Sequence, residues 1–233
     1  MRDTDFYNAE SVQYSHKRYP KVATNYLQFF FIRRLAIMKK YIRGVVGEKK
    51  GLHLLEVGCA DGVITRSLAE TFSDNFITFV GIDIAPSMID VARAATDDPR
   101  VSYTIRDAYT AEPVDIIVET GVVNYGSVDE ELVFAHMHLK LGGYYILSIA
   151  GNNSIYGRLK YDTGLSDFRP YAIYNKLIKE KFEVVEVVGC GVFIPYLWRM
   201  PTLARPLQTF FDWLIGPLWP GLCHEKIYFL RKK

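Results

Sequence analysis

Apolar residues along this chain recur with two different periods. Short runs rich in Val, Ile, Leu, Phe and Tyr fall near residues 52–57, 77–82, 101–105, 114–118, 144–149, 182–188 and 226–231, and bounded runs of that composition read as strands. Helical spacing fills the intervals near 62–72, 86–95, 129–140 and 171–181. Pro86 at a first helical position and the acids Asp129, Glu130 and Glu131 in a first turn mark two helix starts. Strands alternating with helices predict an α/β fold, a mostly parallel sheet covered by helices on both faces.

Two segments fall outside this alternation. In residues 1–50, Leu27, Phe31, Leu35, Met38, Ile42 and Val45 recur at helical spacing, with Arg33, Arg34, Lys39, Lys40 and Arg43 between them. This predicts an amphipathic helix packed on the sheet with its basic residues solvated; a membrane-surface helix or a funnel for an anionic substrate is the sharper reading. Residues 189–223 hold all three tryptophans, Trp198, Trp213 and Trp219, and between Leu207 and Cys223 only one charge, Asp212. Pro195, Pro201, Pro206, Pro217 and Pro220 are expected to break any long helix there. Such a segment suits an apolar substrate pocket, a membrane surface, a dimer contact or plain cover over the sheet edge, and all four remain open.

The chemistry concentrates where the first strand ends. Leu54-Leu-Glu56-Val-Gly58-Cys59-Ala60-Asp61-Gly62 is a strand entering a glycine-bounded turn, and Val80-Gly-Ile-Asp83-Ile84 is a second strand ending in an acid. This is the form taken by a nucleotide-type ligand held across the carboxyl ends of adjacent parallel strands, the acid suiting vicinal ribose hydroxyls. Aligned on Gly58, a dinucleotide fingerprint fails at Ala60 and Val63, and Asp61 stands where a pyrophosphate would lie. A cationic, phosphate-free adenosine ligand, S-adenosylmethionine, fits better beside Glu56 and Asp61. A nicotinamide-dependent oxidoreductase is the weaker alternative on the same grounds.

Four segments in order resemble the class I S-adenosylmethionine-dependent methyltransferases, over about Leu52 to Ala150. Glu56–Gly62 is similar to that family's acidic glycine loop, with Ala60 for its middle Gly. Asp83, followed by Ile84 and Met88, stands where the family holds the ribose. Arg106-Asp107-Ala108 stands where it holds the adenine edge, and Asp115–Val122 where a strand end, here Glu119 and Thr120, faces the methyl group. The resemblance implies a Rossmann-like sheet of seven strands with the last antiparallel. It also implies a cofactor site of Glu56, Gly58, Cys59, Ala60, Asp61, Gly62, Asp83, Ile84, Met88, Asp107, Ala108, Glu119 and Thr120. Ser11–Pro20 looks like an N-terminal lid, in which Tyr14 closes over the cofactor and Arg18 pairs with its carboxylate.

The acceptor side is less legible. Tyr14, His16 and Tyr125 are the candidates for chemistry, with Asn124, Asn152 and Tyr156 as positioning groups. His136 and His138 are expected to be structural on a flanking helix, and His224 exposed at the start of the last strand. Cys59 is expected to be a small filler of the turn, rather than a nucleophile.

Composition narrows this little further. With 233 residues, 49 % hydrophobic, one domain is expected: 1–50 as a helical lid, 51–188 as the cofactor core, 189–223 as a hydrophobic insertion and 224–233 as the last strand. Cys59, Cys190 and Cys223 show no metal spacing, and the reducing cytoplasm is the expected compartment, with 189–223 able to reach a membrane surface. A net charge of +2 lacks a broad phosphate footprint, so no nucleic-acid partner is expected. The reading is a methyltransferase for a small-molecule or lipid-like acceptor, attacking through O or N, with homodimerisation open; the alternative is a non-catalytic cofactor-binding or regulatory subunit of the same fold.

Overall fold

The computed structural model describes residues 13–110, 112–158, 167–194 and 196–233. Residues 1–12 of the expected lid, Pro195 and the side chain of Tyr156 lie outside the described residues. Seven strands, β1 (Leu52–Val57), β2 (Phe76–Asp83), β3 (Val101–Ile105), β4 (Val114–Thr120), β5 (Leu139–Ala150), β6 (Phe182–Cys190) and β7 (Glu225–Lys232), form one sheet in the order β3-β2-β1-β4-β5-β7-β6. Only β7 runs against its neighbours, antiparallel to both β5 and β6. The chain winds outward from β1 towards β3 and then from β4 in the other direction. The carboxyl ends of β1 and β4 therefore flank the switch point, where ligands bind in open α/β sheets.

Apolar side chains alternate between the two faces and draw helices onto each. On one face Leu55, Ile117, Tyr145, Leu147 and Tyr228 pack with helices α5 (Val128–His138) and α7 (Tyr171–Lys181). On the other, Leu54, Phe79, Ile116, Ile146 and Phe229 pack with α2 (Tyr26–Val46) and α3 (Val63–Thr71). Helix α4 (Pro86–Ala94) covers the β2–β3 edge through Ile89 and Ala92, and two short helices are α1 (Tyr14–Arg18) and α6 (Ile155–Arg158).

Four expectations are corrected. Helix α2 exists, but its buried stripe is Phe30, Arg34, Met38, Ile42 and Val46, and Leu27 is exposed. The apolar spacing was offset because Arg34, taken as solvated, is itself a core residue. Strand β5 begins at Leu139, not 144, because Leu139 already pairs with Val114 before the register shifts. His224 is partly covered: its ring stacks on Phe30 at 4.7 Å between centroids and on Tyr26 at 6.2 Å, and burial lowers its pKa.

The fourth correction is the largest. Residues Pro201–Leu218 form a helix, α8, with Pro206 and Pro217 inside it. Pro201 occupies a first-turn position where its missing N–H costs nothing, and Pro217 interrupts only the last turn. Its inward stripe, Ala204, Gln208, Asp212 and Gly216, lies against the end of β6. Gly216 permits that approach, since a Cβ there would stand 2.7 Å from the Gly189 carbonyl oxygen.

Candidate functional site

The loop after β1 is built by backbone conformations that the sequence alone suggests only in part. Gly58 and Gly62 have φ of 71° and 75°, and Ala60 is also left-handed at 48°. A Cβ on Gly58 would collide with Val122, and one on Gly62 with the Tyr103 hydroxyl, so glycine is required for close approach as well as for φ. The Gly58 and Cys59 N–H groups both donate to the Ile82 carbonyl, tying the loop to the end of β2. Cys59 is buried and packs with Ile89, Ala92 and Tyr103. Burial pushes its thiol well up, as suits a filler.

Asp83 sits at the last position of β2. Its carboxylate accepts from the Ala60 N–H at 2.9 Å and the Ala85 N–H at 3.0 Å, one bond to each oxygen. A carboxylate offers about four acceptor positions, so both oxygens retain capacity for hydroxyl donors. Burial raises its pKa against these two bonds. Ile84 beside it is exposed, whereas Met88 is buried with Ala60 and Ala85, and Tyr14 packs against that group. Asp107 and Ala108 lie exposed in a turn after β3.

The two loop acids have partners. Thr65 Oγ1 donates to Glu56, which is fully enclosed, and burial, reinforced by Asp83, raises the Glu56 pKa to about 8. Asp61 accepts from both the N–H and the hydroxyl of Ser15. Helix α1 is thereby fastened over the loop. Arg18 stacks on Tyr14 with 4.0 Å from guanidinium carbon to ring centroid. Burial raises the Tyr14 pKa, so the phenol stays neutral.

At the end of β4, Thr120 is nearly buried and Glu119 completely so. Glu119 accepts from the Tyr145 hydroxyl at 2.5 Å, and burial together with nearby Glu131 raises its pKa to about 8. Its side chain therefore points into the core beside Tyr145 and Glu131. Arg34 reaches the same strand end from the opposite face: a Cβ on Gly121 would lie 2.6 Å from its Nη1. Sequence reasoning missed Arg34, Ser15, Thr65 and Glu225. The only visible hint was a run of basic residues, which resembles a solvated face.

Of the acceptor-side candidates, His16 is exposed and Tyr125 half-buried. Asn124, expected to line an acceptor site, instead clamps backbone: its amide donates to the Ala150 and Asp167 carbonyls and its Oδ1 accepts from the Ala150 N–H. Asn152 likewise donates to the Phe168 carbonyl. His136 and His138 are on α5, against Phe182 and Phe134 respectively. A cavity of about 160 Å³ lined by Val45, Leu52, Asp115 and Gly142 lies at the amino ends of the strands, away from Asp83.

Residues 55–145 match the family model described as a methyltransferase domain. This span contains the glycine loop, Asp83, Asp107 and the end of β4. Over that span the chain is similar to a methyltransferase domain. Malonyl-[acyl-carrier protein] O-methyltransferase 1 of Ilyobacter polytropus is 25 % identical over 152 residues, 62 % of this chain and 54 % of that protein. The chain spans about half the length of the curated relatives it matches. Magnesium protoporphyrin IX methyltransferase from Synechocystis PCC 6803, with bound SAH, is similar in fold with a TM-score of 0.70 at 13 % identity, over 99 % of this chain and 98 % of the other. The N-methyltransferase NodS from Bradyrhizobium japonicum, in complex with S-adenosyl-L-homocysteine, has a TM-score of 0.59 at 18 % identity, covering 87 % of each chain. Both of these solved structures hold S-adenosylhomocysteine, the demethylated form of S-adenosylmethionine. Two features of the site fit that ligand: the acid-ended β2 with free acceptor capacity, and a left-handed glycine loop packed against Val122 and Tyr103 beside it.

Proposed function

We propose that this chain transfers a methyl group from S-adenosylmethionine to a small-molecule or lipid-like acceptor. The observation that carries the reading is Asp83, fixed by the Ala60 and Ala85 N–H groups at the carboxyl end of β2, facing the Gly58–Gly62 loop. In this reading Asp83 accepts from the ribose hydroxyls, and Ile84 and Met88 flank the adenine. Asp107 accepts from the exocyclic amine while the Ala108 N–H meets a ring nitrogen. Gly58, Cys59, Ala60 and Gly62 line the methionine part through backbone, Asp61 supplies negative potential for its cationic groups, and Glu56, whose pKa burial raises to about 8, ionises as the cation approaches. Tyr14 and Arg18 close over it from α1, and the backbone of Glu119 with Thr120, at the end of β4, borders the methyl position.

The cofactor supplies a methyl already activated by its sulfonium. The protein's part is then to hold an incoming nucleophile in line with that carbon, a positioning effect that supplies up to ~7–11 kcal/mol. Tyr14, His16 and Tyr125 are the side chains proposed to border the nucleophile. An ionised carboxylate acceptor requires no general base, and the malonyl-[acyl-carrier protein] relatives make a short acyl carboxylate the first acceptor to test.

The test is transfer of labelled methyl from S-adenosylmethionine to malonyl thioesters and to an extracted lipid fraction, beside calorimetric binding of S-adenosylhomocysteine. Cofactor binding with transfer to either acceptor class supports the reading. Cofactor binding without any turnover favours a regulatory subunit of the same fold, and no binding at all overturns it.

A further inference from the structure

Helix α8 is amphipathic in the reverse sense. Its covered stripe is small or polar: the Gln208 amide donates to the Val192 carbonyl and to Asp212, and Asp212 accepts the Val192 N–H. The opposite side carries Leu203, Leu207, Phe210, Trp213, Leu214 and Leu218, all exposed, with Phe210 at 52 % and Trp213 at 64 %. From Leu203 to Leu218 this is an apolar strip about 24 Å long. Exposed apolar area of this extent marks a site of interaction.

Charge decides what the strip fits. Between Gly189 and His224 the chain has three charged residues, Arg199, Arg205 and Asp212. Asp212 is buried, so this segment turns out the exposed Arg199, with Arg205 half-covered and its Nε donating to the Pro201 carbonyl, and no carboxylate. Arg199 is exposed and lies over the exposed Tyr196 ring, 4.6 Å from its centroid. A second copy meeting this strip would bring two more arginines and no acid to pair them. A bilayer with anionic headgroups answers both features, taking Trp, Phe and Leu below the headgroup level and Arg at it.

We infer that the outer face of α8 is a docking surface for an anionic lipid bilayer, on which the helix lies flat. No described helix is long and apolar enough to cross a membrane, so the contact is peripheral. Its placement orients the domain. Helix α8 crosses the carboxyl end of β6, and Tyr26 at the start of α2 donates to the Gly191 carbonyl beside it at 3.0 Å. The strand ends carrying Asp83 thus share a side of the sheet with the docking face. The inference goes beyond methyl transfer and does not depend on it.

The test is co-sedimentation of the full chain, without cofactor, on phosphatidylcholine vesicles and on vesicles containing phosphatidylglycerol. Binding at least tenfold stronger to the anionic vesicles is expected, with a blue shift of tryptophan emission from Trp213 and Trp219. The double variant Leu203→Glu, Phe210→Glu should lose at least tenfold in binding, and Arg199→Glu with Arg205→Glu should lose the preference for phosphatidylglycerol. Leu203, Phe210 and Arg199 are exposed and Arg205 half-buried, and unchanged thermal melting confirms the fold; the emission shift of the unsubstituted chain tests the inference should a variant not fold. Absence of vesicle binding overturns it, as does binding indifferent to Leu203→Glu, Phe210→Glu. A concentration-dependent dimer that this variant abolishes, in a chain that ignores vesicles, assigns the face to a second copy instead. S-adenosylhomocysteine affinity measured in parallel separates this failure from that of the methyltransferase reading.

Discussion

Arg34 on α2 and Glu225 at the start of β7 form an enclosed ion pair, with Arg34 Nη1 at 3.2 and 3.1 Å from the two carboxylate oxygens. It joins the helix that follows the lid to β7, which lies between β5 and β6. Burial opposes the guanidinium's charge, but Glu225, Tyr19 and Tyr14 outweigh it and hold the pKa up. Phe30 and Phe31 add ring contacts at 5.3 and 4.9 Å. Removing one partner of such a pair strands a buried charge, at a cost of ~3–5 kcal/mol, whereas replacing both by apolar groups is often close to neutral. Arg34→Met should therefore lower unfolding free energy in denaturant by that amount, and Arg34→Met with Glu225→Leu should recover most of it. A single variant as stable as the parent would refute the pair's role.

Arg34 also shows where sequence reading stops. The strands and the glycine loop were legible because each is a local pattern: alternation, a Gly at a left-handed φ, an acid ending a strand; the antiparallel β7 was legible only through the family resemblance. Arg34 was not, because a cation at helical spacing looks the same whether solvated or paired with a residue 191 positions away. Helix α8 was hidden by its prolines and by an apolar pattern that faces outward. Counting breakers does not reveal that Pro201 and Pro217 sit near the two ends, or that Gln208 and Asp212 anchor the inner side. Ser15 and Thr65 were invisible because their role depends on which acid the fold brings to them.

Glu56 and Glu119 should make stability depend on pH in the direction opposite to ordinary carboxylates. Both have pKa values raised from 4.5 to about 8 by burial. The folded chain therefore keeps protons that the unfolded chain releases above 4.5. The contribution is fully present below 4.5 and declines as pH rises towards 8, by up to ~1.4 kcal/mol per pH unit per group. Denaturant unfolding should show lower stability at pH 8 than at pH 6, and Glu119→Gln, neutral at both, should flatten that slope. An unchanged slope in the variant would contradict the raised Glu119 pKa.

Ser15 fastens α1 to the glycine loop through Asp61. Ser15→Ala keeps the backbone donor but loses the hydroxyl, a charge-assisted bond contributing ~1.5–3 kcal/mol. Hydrogen exchange of the amides in 14–18 should accelerate while global melting shifts little, since α1 buries no residue completely. Exchange that stays at the parent rate would mean that α1 is held by Tyr14 packing and the Ser15 N–H, without the hydroxyl.

The central claim, that Asp83 and the adjoining loop bind S-adenosylmethionine, is tested most directly by calorimetric titration of S-adenosylhomocysteine into the parent chain and Asp83→Ala. The parent should bind with one site per chain. Each charge-assisted hydroxyl bond lost contributes ~1.5–3 kcal/mol, so the variant, still folded by circular dichroism, should bind at least about tenfold more weakly. Equal affinity in a folded Asp83→Ala variant, or no binding by the parent, would contradict the account.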